Sequence, residues 1–153
     1  MTRLLTLMLA LLAGCSSKPA IPAKDLLLTA TDARAAGDWT AAEAAFEAAF
    51  ASATAENDPA SRQTARRGQL QAQSASDPTA ALAAAEVWLH ELGPAATVDL
   101  FGGLATDFKF TGATPEGVAL CNLGLAAFPG DVGLLNAKAR LEAALPTSPT
   151  AHP

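Results

Sequence analysis

The chain has 153 residues, of which half are hydrophobic, 5% aromatic and 16% charged, and its formal net charge is −5. Roughly a quarter of the residues are alanine, β-branched residues are few and tyrosine is absent, a composition that favours helices over sheets because Ala is the best helix former and packs closely. The acidic balance leaves no basic surface able to track phosphates, which excludes nucleic acid as a partner, and the length suffices for one domain.

Taken in chain order, Met1-Thr2-Arg3 precedes an apolar run, Leu4 to Ala13, too short to span a bilayer but with the positive start and greasy middle of a secretory signal. The run ends at Leu12-Ala13-Gly14-Cys15. This resembles the lipobox of bacterial lipoproteins: an aliphatic residue, two small residues and the acceptor cysteine. The resemblance implies cleavage between Gly14 and Cys15, so residues 1–14 are a signal peptide. It also implies a diacylglyceryl group on the Cys15 thiol, usually with acylation of the new amine, and two or three chains anchor stably where one would be marginal. Loss of Arg3 with the signal brings the charge to about −6. Ser16, rather than Asp, follows the cysteine, which by resemblance to bacterial sorting patterns implies the outer membrane, facing the periplasm. Residues 15–22 read as a lipidated tether, since Pro19 and Pro22 block a helix there. With Cys15 modified, Cys121 is the one remaining thiol, so no intrachain disulfide is expected.

Seven helical patterns fill residues 23–145. In Thr40 to Ala53, residues Ala42, Ala45, Phe46, Ala49, Phe50 and Ala53 fall on one face, with Glu43 and Glu47 opposite. A helix from Pro59 to about Ser74 follows. Ala81, Leu82, Ala85, Leu89 and Leu92 make a second apolar stripe, Val98, Phe101, Leu104, Ala105 and Phe108 a third, and Leu134, Ala137, Leu141 and Leu145 a fourth, with Lys138 and Glu142 as an exposed pair. Pro59, Pro94 and Pro129 recur every 35 residues, each between one helical pattern and the next. A second break falls midway in each unit, at Gly37-Asp38, Ser76-Asp77-Pro78 and Gly112 to Pro115, with Asp38, Asp77 and Thr114 as expected N-caps. Gly102-Gly103 would cost a helix about 1 kcal/mol per residue relative to Ala. Residues 146–153, with three prolines, read as a disordered tail.

The stretch from Ala35 to Phe50 resembles the second half of a tetratricopeptide repeat. Gly37 and Asp38 stand at the inter-helix turn, Trp39 is the aromatic after it, and Ala42, Phe46 and Ala49 match the small, large and small packing positions. Pro129 resembles the proline that closes a repeat, and Val132 to Leu145 the helix that caps such arrays. The resemblance implies an all-α fold, a short right-handed solenoid of antiparallel helix hairpins, with two to three repeats plus a cap over residues 23–145. It also implies a binding surface for an extended peptide or a partner helix.

On the helix starting at Pro59, Arg62, Arg66, Gln69 and Gln73 form a polar stripe able to hold a carboxylate and peptide amides, the competing reading being a solvated face. Cys121 and His90 invite a thiolate–imidazole reading, but Cys121 is in register with Val118, Leu125 and Phe128, which predicts a buried, unreactive thiol. Trp39 and Trp88 are expected in or beside the core. Asp99, Asp107 and Lys109 read as solubilising charges. No metal-ligand cluster, phosphate cradle or hydrolase elbow occurs, so no metal and no cofactor are expected. The expected function is that of a lipid-anchored, non-enzymatic adaptor or assembly factor for other envelope proteins or peptides. The alternatives are a self-associating structural lipoprotein and a Cys121-dependent enzyme.

Overall fold

The computed structural model describes residues 21–146. The expected signal peptide, Cys15 with the first part of the expected tether, and the expected tail beyond Pro146 lie outside the described residues. Within them the chain is all-helical: α1 (Ala23–Ala35), α2 (Trp39–Ala55), α3 (Pro59–Ser76), α4 (Pro78–Leu92), α5 (Val98–Phe110), α6 (Thr114–Ala127) and α7 (Val132–Glu142), with a single 3₁₀ turn over Gly93–Ala95. No strand occurs among the described residues, and no helix there is long and apolar enough to cross a membrane.

Short turns divide the helices by a repeated device. At the end of α1 the N–H of Gly37 donates to the carbonyl of Arg34 and that of Asp38 to Ala33. At the end of α2, Asn57 donates to Thr54 and Asp58 to Ala53, and after α5, Gly112 donates to Lys109 and Ala113 to Phe108. This pair of bonds is the Schellman ending, which requires a left-handed residue. Gly37 (φ +76°) and Gly112 (φ +88°) supply it freely, whereas Asn57 (φ +55°) does so with a side chain. Gly112→Ala is therefore expected to lose about 1 kcal/mol and Asn57→Gly to be neutral or to gain a few tenths in a urea melt.

In the first two of these turns an aspartate starts the next helix at once. Asp38 accepts the N–H of Ala41 and Asp58 those of Ala60 and Ser61, and α4 is capped the same way by Asp77 with Ala80. The Ser61 hydroxyl also donates to Asp58, and these bonds hold the Asp58 carboxyl below its ordinary range. Thr97 and Asp131 cap α5 and α7. The expected cap at Thr114 is a correction: Thr114 is the first residue of α6, Ala113 occupies the cap position, and no side chain bonds there. Pro115 just inside the helix needs one fewer donor satisfied. Pro94 lies between α4 and α5 as its spacing predicts, within the 3₁₀ turn, and α5 begins at Val98.

The predicted stripes turn toward the core, except that α7 ends at Glu142 and leaves Leu145, counted in the last stripe, beyond the helix and half-buried. Ala42, Phe46, Ala49 and Ala53 are buried on α2, Ala81, Ala85 and Leu89 on α4, Leu104, Ala105 and Phe108 on α5, and Leu134 and Leu141 on α7. Two apolar clusters result. A small one joins Ala30, Ala42, Phe46 and Ala72 of α1, α2 and α3, with Trp39 against it; the larger is built from α4 to α7 and receives Leu70 from α3. Trp88 belongs to the larger one. The helix α3 thus serves both cores, Ala72 facing one and Leu70 the other. Helix packing runs between consecutive helices α1 to α4 and α5 to α7, and between next-but-one helices α1 and α3, α3 and α5, α4 and α6, and α5 and α7.

Glycines set the closest approaches. On α6, Gly117, Leu120, Cys121 and Gly124 form the buried face at i, i+3, i+4 and i+7. A Cβ on Gly117 would stand 2.8 Å from the carbonyl oxygen of Ala105, and one on Gly124 would meet Leu134 and Phe101. The start of α1 is tied to the end of α2, where Glu56 accepts the N–H of Ala23 at 2.9 Å and Ser52 donates to the carbonyl of Ile21.

Candidate functional site

The side-by-side packing of α1, α3 and α5 leaves a furrow whose walls carry polar side chains. One recess, about 180 Å³, is lined by Thr31, Arg34, Arg67, Gln71 and Asp107 over the ring of Phe46; a second, about 390 Å³, lies between α3 and the start of α5 and shares Thr64 and Arg67 with the first. Their common residues make them one surface.

Two pairs line the furrow, and a third ties α3 to α5 beyond it. Arg67 grips Asp107 with both arms of its guanidinium, Nε to Oδ2 at 2.5 Å and Nη2 to Oδ1 at 3.1 Å. Donating to the Asp107 carboxylate raises the Arg67 pKa further above its already high value. Its side chain is 43% exposed and that of Asp107 13%, so water screens the pair, and its worth is on the order of 1 kcal/mol. Arg34 donates to Gln71 Oε1 at 3.0 Å while its guanidinium lies over the Phe46 ring, 5.9 Å from the centroid. The hydroxyls of Ser74 and Thr111 meet at 2.6 Å, joining α3 to the turn after α5. Gly103 makes room for the first pair, since a Cβ there would stand 3.0 Å from the Arg67 guanidinium. That contact accounts for a glycine inside α5, which the sequence presents only as a cost. Asp107 is accordingly a paired, mostly buried group and not the solubilising charge expected of it.

The expected stripe on α3 faces elsewhere. Arg62 is exposed and lines a different recess with Phe50, Trp88 and Leu92, of about 430 Å³. Arg66 donates to Gln69 Oε1 at 2.8 Å within the same helix, and Gln69 and Gln73 are half-buried. None of the four lines the furrow; its residues on α3 are Ala60, Gln63, Thr64, Arg67, Gly68 and Gln71, centred on the opposite face of the helix. The i, i+4 spacing identifies residues that share a face but carries no information on which neighbour that face meets.

Cys121 is fully buried, and burial pushes its thiol pKa up, as its register predicts. His90 stands apart from it, on the rim of an apolar cleft of about 580 Å³ between α4, α5 and α6. The floor of that cleft is Leu89, Ala96, Phe101 and Phe128, the last two rings packed edge to face with centroids 6.1 Å apart. Among the described residues no three His, Cys, Asp or Glu side chains converge as metal ligands would. Cys15 and Gly14 lie outside the described residues. The chain matches no protein family model, no curated protein and no solved structure.

Proposed function

We propose that the chain is a lipid-anchored protein of the cell envelope, held through Cys15 at the outer membrane and facing the periplasm, that serves as a non-enzymatic adaptor or assembly factor for other envelope proteins or peptides. The observation that carries the reading is the packing order: each helix joins its successor or next-but-one neighbour, and α1, α3 and α5 lie together along a polar furrow. That order matches stacked hairpins of tetratricopeptide type, with α1/α2, α3/α4 and α5/α6 as units and α7 as the cap, except that α4 packs on α6 and not on α5. Thr31 and Thr64 donate their hydroxyl protons to the carbonyls of Leu27 and Ala60, so the furrow offers a partner the Gln71 amide N–H groups and the remaining guanidinium N–H groups, which suit the carbonyls and acidic side chains of an extended peptide. Arg62, Arg66, Gln69 and Gln73 offer a second polar patch on the same helix.

The anchor is tested by metabolic labelling with a fatty acid. Label is expected on the full chain and absent from Cys15→Ala; label retained by that variant overturns the anchor. The adaptor role is tested by affinity recovery of the lipidated chain from its own envelope in mild detergent. A stoichiometric partner is expected, bound about tenfold more weakly by a Thr31→Ala, Arg34→Ala variant. Recovery of the chain alone, or as its own oligomer, overturns the adaptor reading. A partner held with unchanged affinity by that variant but lost from Arg62→Ala, Arg66→Ala moves the site to the other patch.

A further inference from the structure

The cleft between α4, α5 and α6 is separate from the furrow, and its make-up differs. Its floor, Leu89, Ala96, Phe101 and Phe128, is apolar, while Glu86, His90, Leu123 and Ala127 on its rim are exposed, Leu123 at 36%. A site for a small molecule encloses most of its ligand. This one is open along a side, so whatever fills it must itself bring the covering surface, as a segment of a larger partner does.

Charge selects the partner. Between Arg67 and Lys109 the sequence contains no lysine or arginine, and none occurs between Lys109 and Lys138. Lys109 closes α5, about 12 Å along the helix from Phe101 at the cleft. The rim therefore presents the Glu86 carboxylate with no cation beside it among the lining residues. The C-terminal ends of α4 and α6 also open onto the cleft, at Gly93 and at Ala127 and Phe128, and each carries the partial negative charge of a helix end. The N-terminal end of α5 lies nearby, but Asp99 in its first turn offsets its positive pole.

We infer that this cleft is a docking site for a cationic amphipathic segment of a partner protein, whose apolar side chains fill the floor while its lysines or arginines meet Glu86 and the two helix ends. The inference rests on the adaptor reading and adds a face and a partner chemistry to it.

The test uses the full chain carrying Cys15→Ala, which leaves the helical region unaltered, and two labelled peptides of about 18 residues, long enough for five helical turns. One patterns Leu with Lys and the other Leu with Glu in the same order, and binding is read by fluorescence anisotropy at physiological salt. The Leu/Lys peptide is expected to bind at least about tenfold more tightly than the Leu/Glu peptide, a difference that Leu123→Arg abolishes. Glu86→Gln is expected to weaken binding about threefold, with Glu47→Gln on the exposed face of α2 as an unaffected control. Should Leu123→Arg melt early, Ala127→Arg on the exposed rim replaces it. Equal binding of the two peptides overturns the inference, as does affinity unchanged by Leu123→Arg. A dimer in sedimentation that Leu123→Arg dissolves assigns the cleft to a second copy and overturns it too, and so does a variant ending at Pro146 that binds the peptide about tenfold more tightly, which assigns it to the chain's own tail. A native partner that survives Leu123→Arg keeps the adaptor reading and removes this one.

Discussion

Phe108→Ala is expected to cost about 3–5 kcal/mol, a large share of the stability of a domain this size. Phe108 is fully buried, among the largest side chains in the chain that are, and it stands in the larger core at the end of α5. Its carbonyl also accepts the N–H of Thr111 and Ala113 and the hydroxyl of Thr111, so the turn into α6 is tied to the residue whose ring anchors the core. Removing the ring leaves a cavity bounded by helices that are themselves tied together through that turn, which limits collapse onto it. Phe110 provides the internal comparison. It lies two residues on, is 74% exposed, and Phe110→Ala is expected to change stability by no more than about 0.5 kcal/mol. The measurement is a pair of urea unfolding curves at equal slope, with the midpoint falling for the first variant only. Equal losses at the two positions would contradict the burial described here.

The contrast between Phe108 and Phe110 is legible in the sequence, because Phe108 continues the spacing of Phe101, Leu104 and Ala105 while Phe110 does not. So are the aspartate caps at Asp38 and Asp77, which sit just before apolar stripes, and the Lys138–Glu142 pair, found at 3.6 Å. What periodicity cannot carry is the identity of the neighbour. Arg67 and Asp107 are 40 residues apart, and neither the polar furrow nor the reason for Gly103 exists until α3 and α5 are set side by side. The stripe of Arg62, Arg66, Gln69 and Gln73 is a true helical face, yet the furrow forms on the opposite side of the helix. Thr114 fails as a cap because the turn before α6 closes by the Schellman bonds at Gly112 and Ala113, which starts the helix at Thr114 itself, one residue earlier than its side chain would need. The apolar cleft is assembled from the ends of three helices, and each contributes residues that read in sequence as ordinary stripe or loop.

Glycine substitutions separate the close approaches by what stands in the way. Gly103→Ala meets only the tip of Arg67, a long side chain that can shift, so the better helix propensity of Ala, about 1 kcal/mol, is expected to leave stability unchanged or raised. Gly68→Ala would drive its Cβ into the Phe46 ring, which is buried beneath Arg34 and has no free direction. A net loss of about 1–2 kcal/mol is expected there, and Phe46→Leu in the same chain should recover part of it by trimming the obstacle. Gly117→Ala is the severe case. Its obstacle is the backbone oxygen of Ala105 at 2.8 Å, and α5 and α6 can relieve it only by moving apart, against the packing of Leu120, Cys121 and Leu104 between them. The loss is expected at about 2–3 kcal/mol even after the gain in propensity, and no single side-chain truncation should restore it. Thermal melts of the three alanine variants and the Gly68→Ala, Phe46→Leu pair check the order. A Gly117→Ala chain as stable as Gly103→Ala would mean that α5 and α6 do not approach as closely as this packing requires.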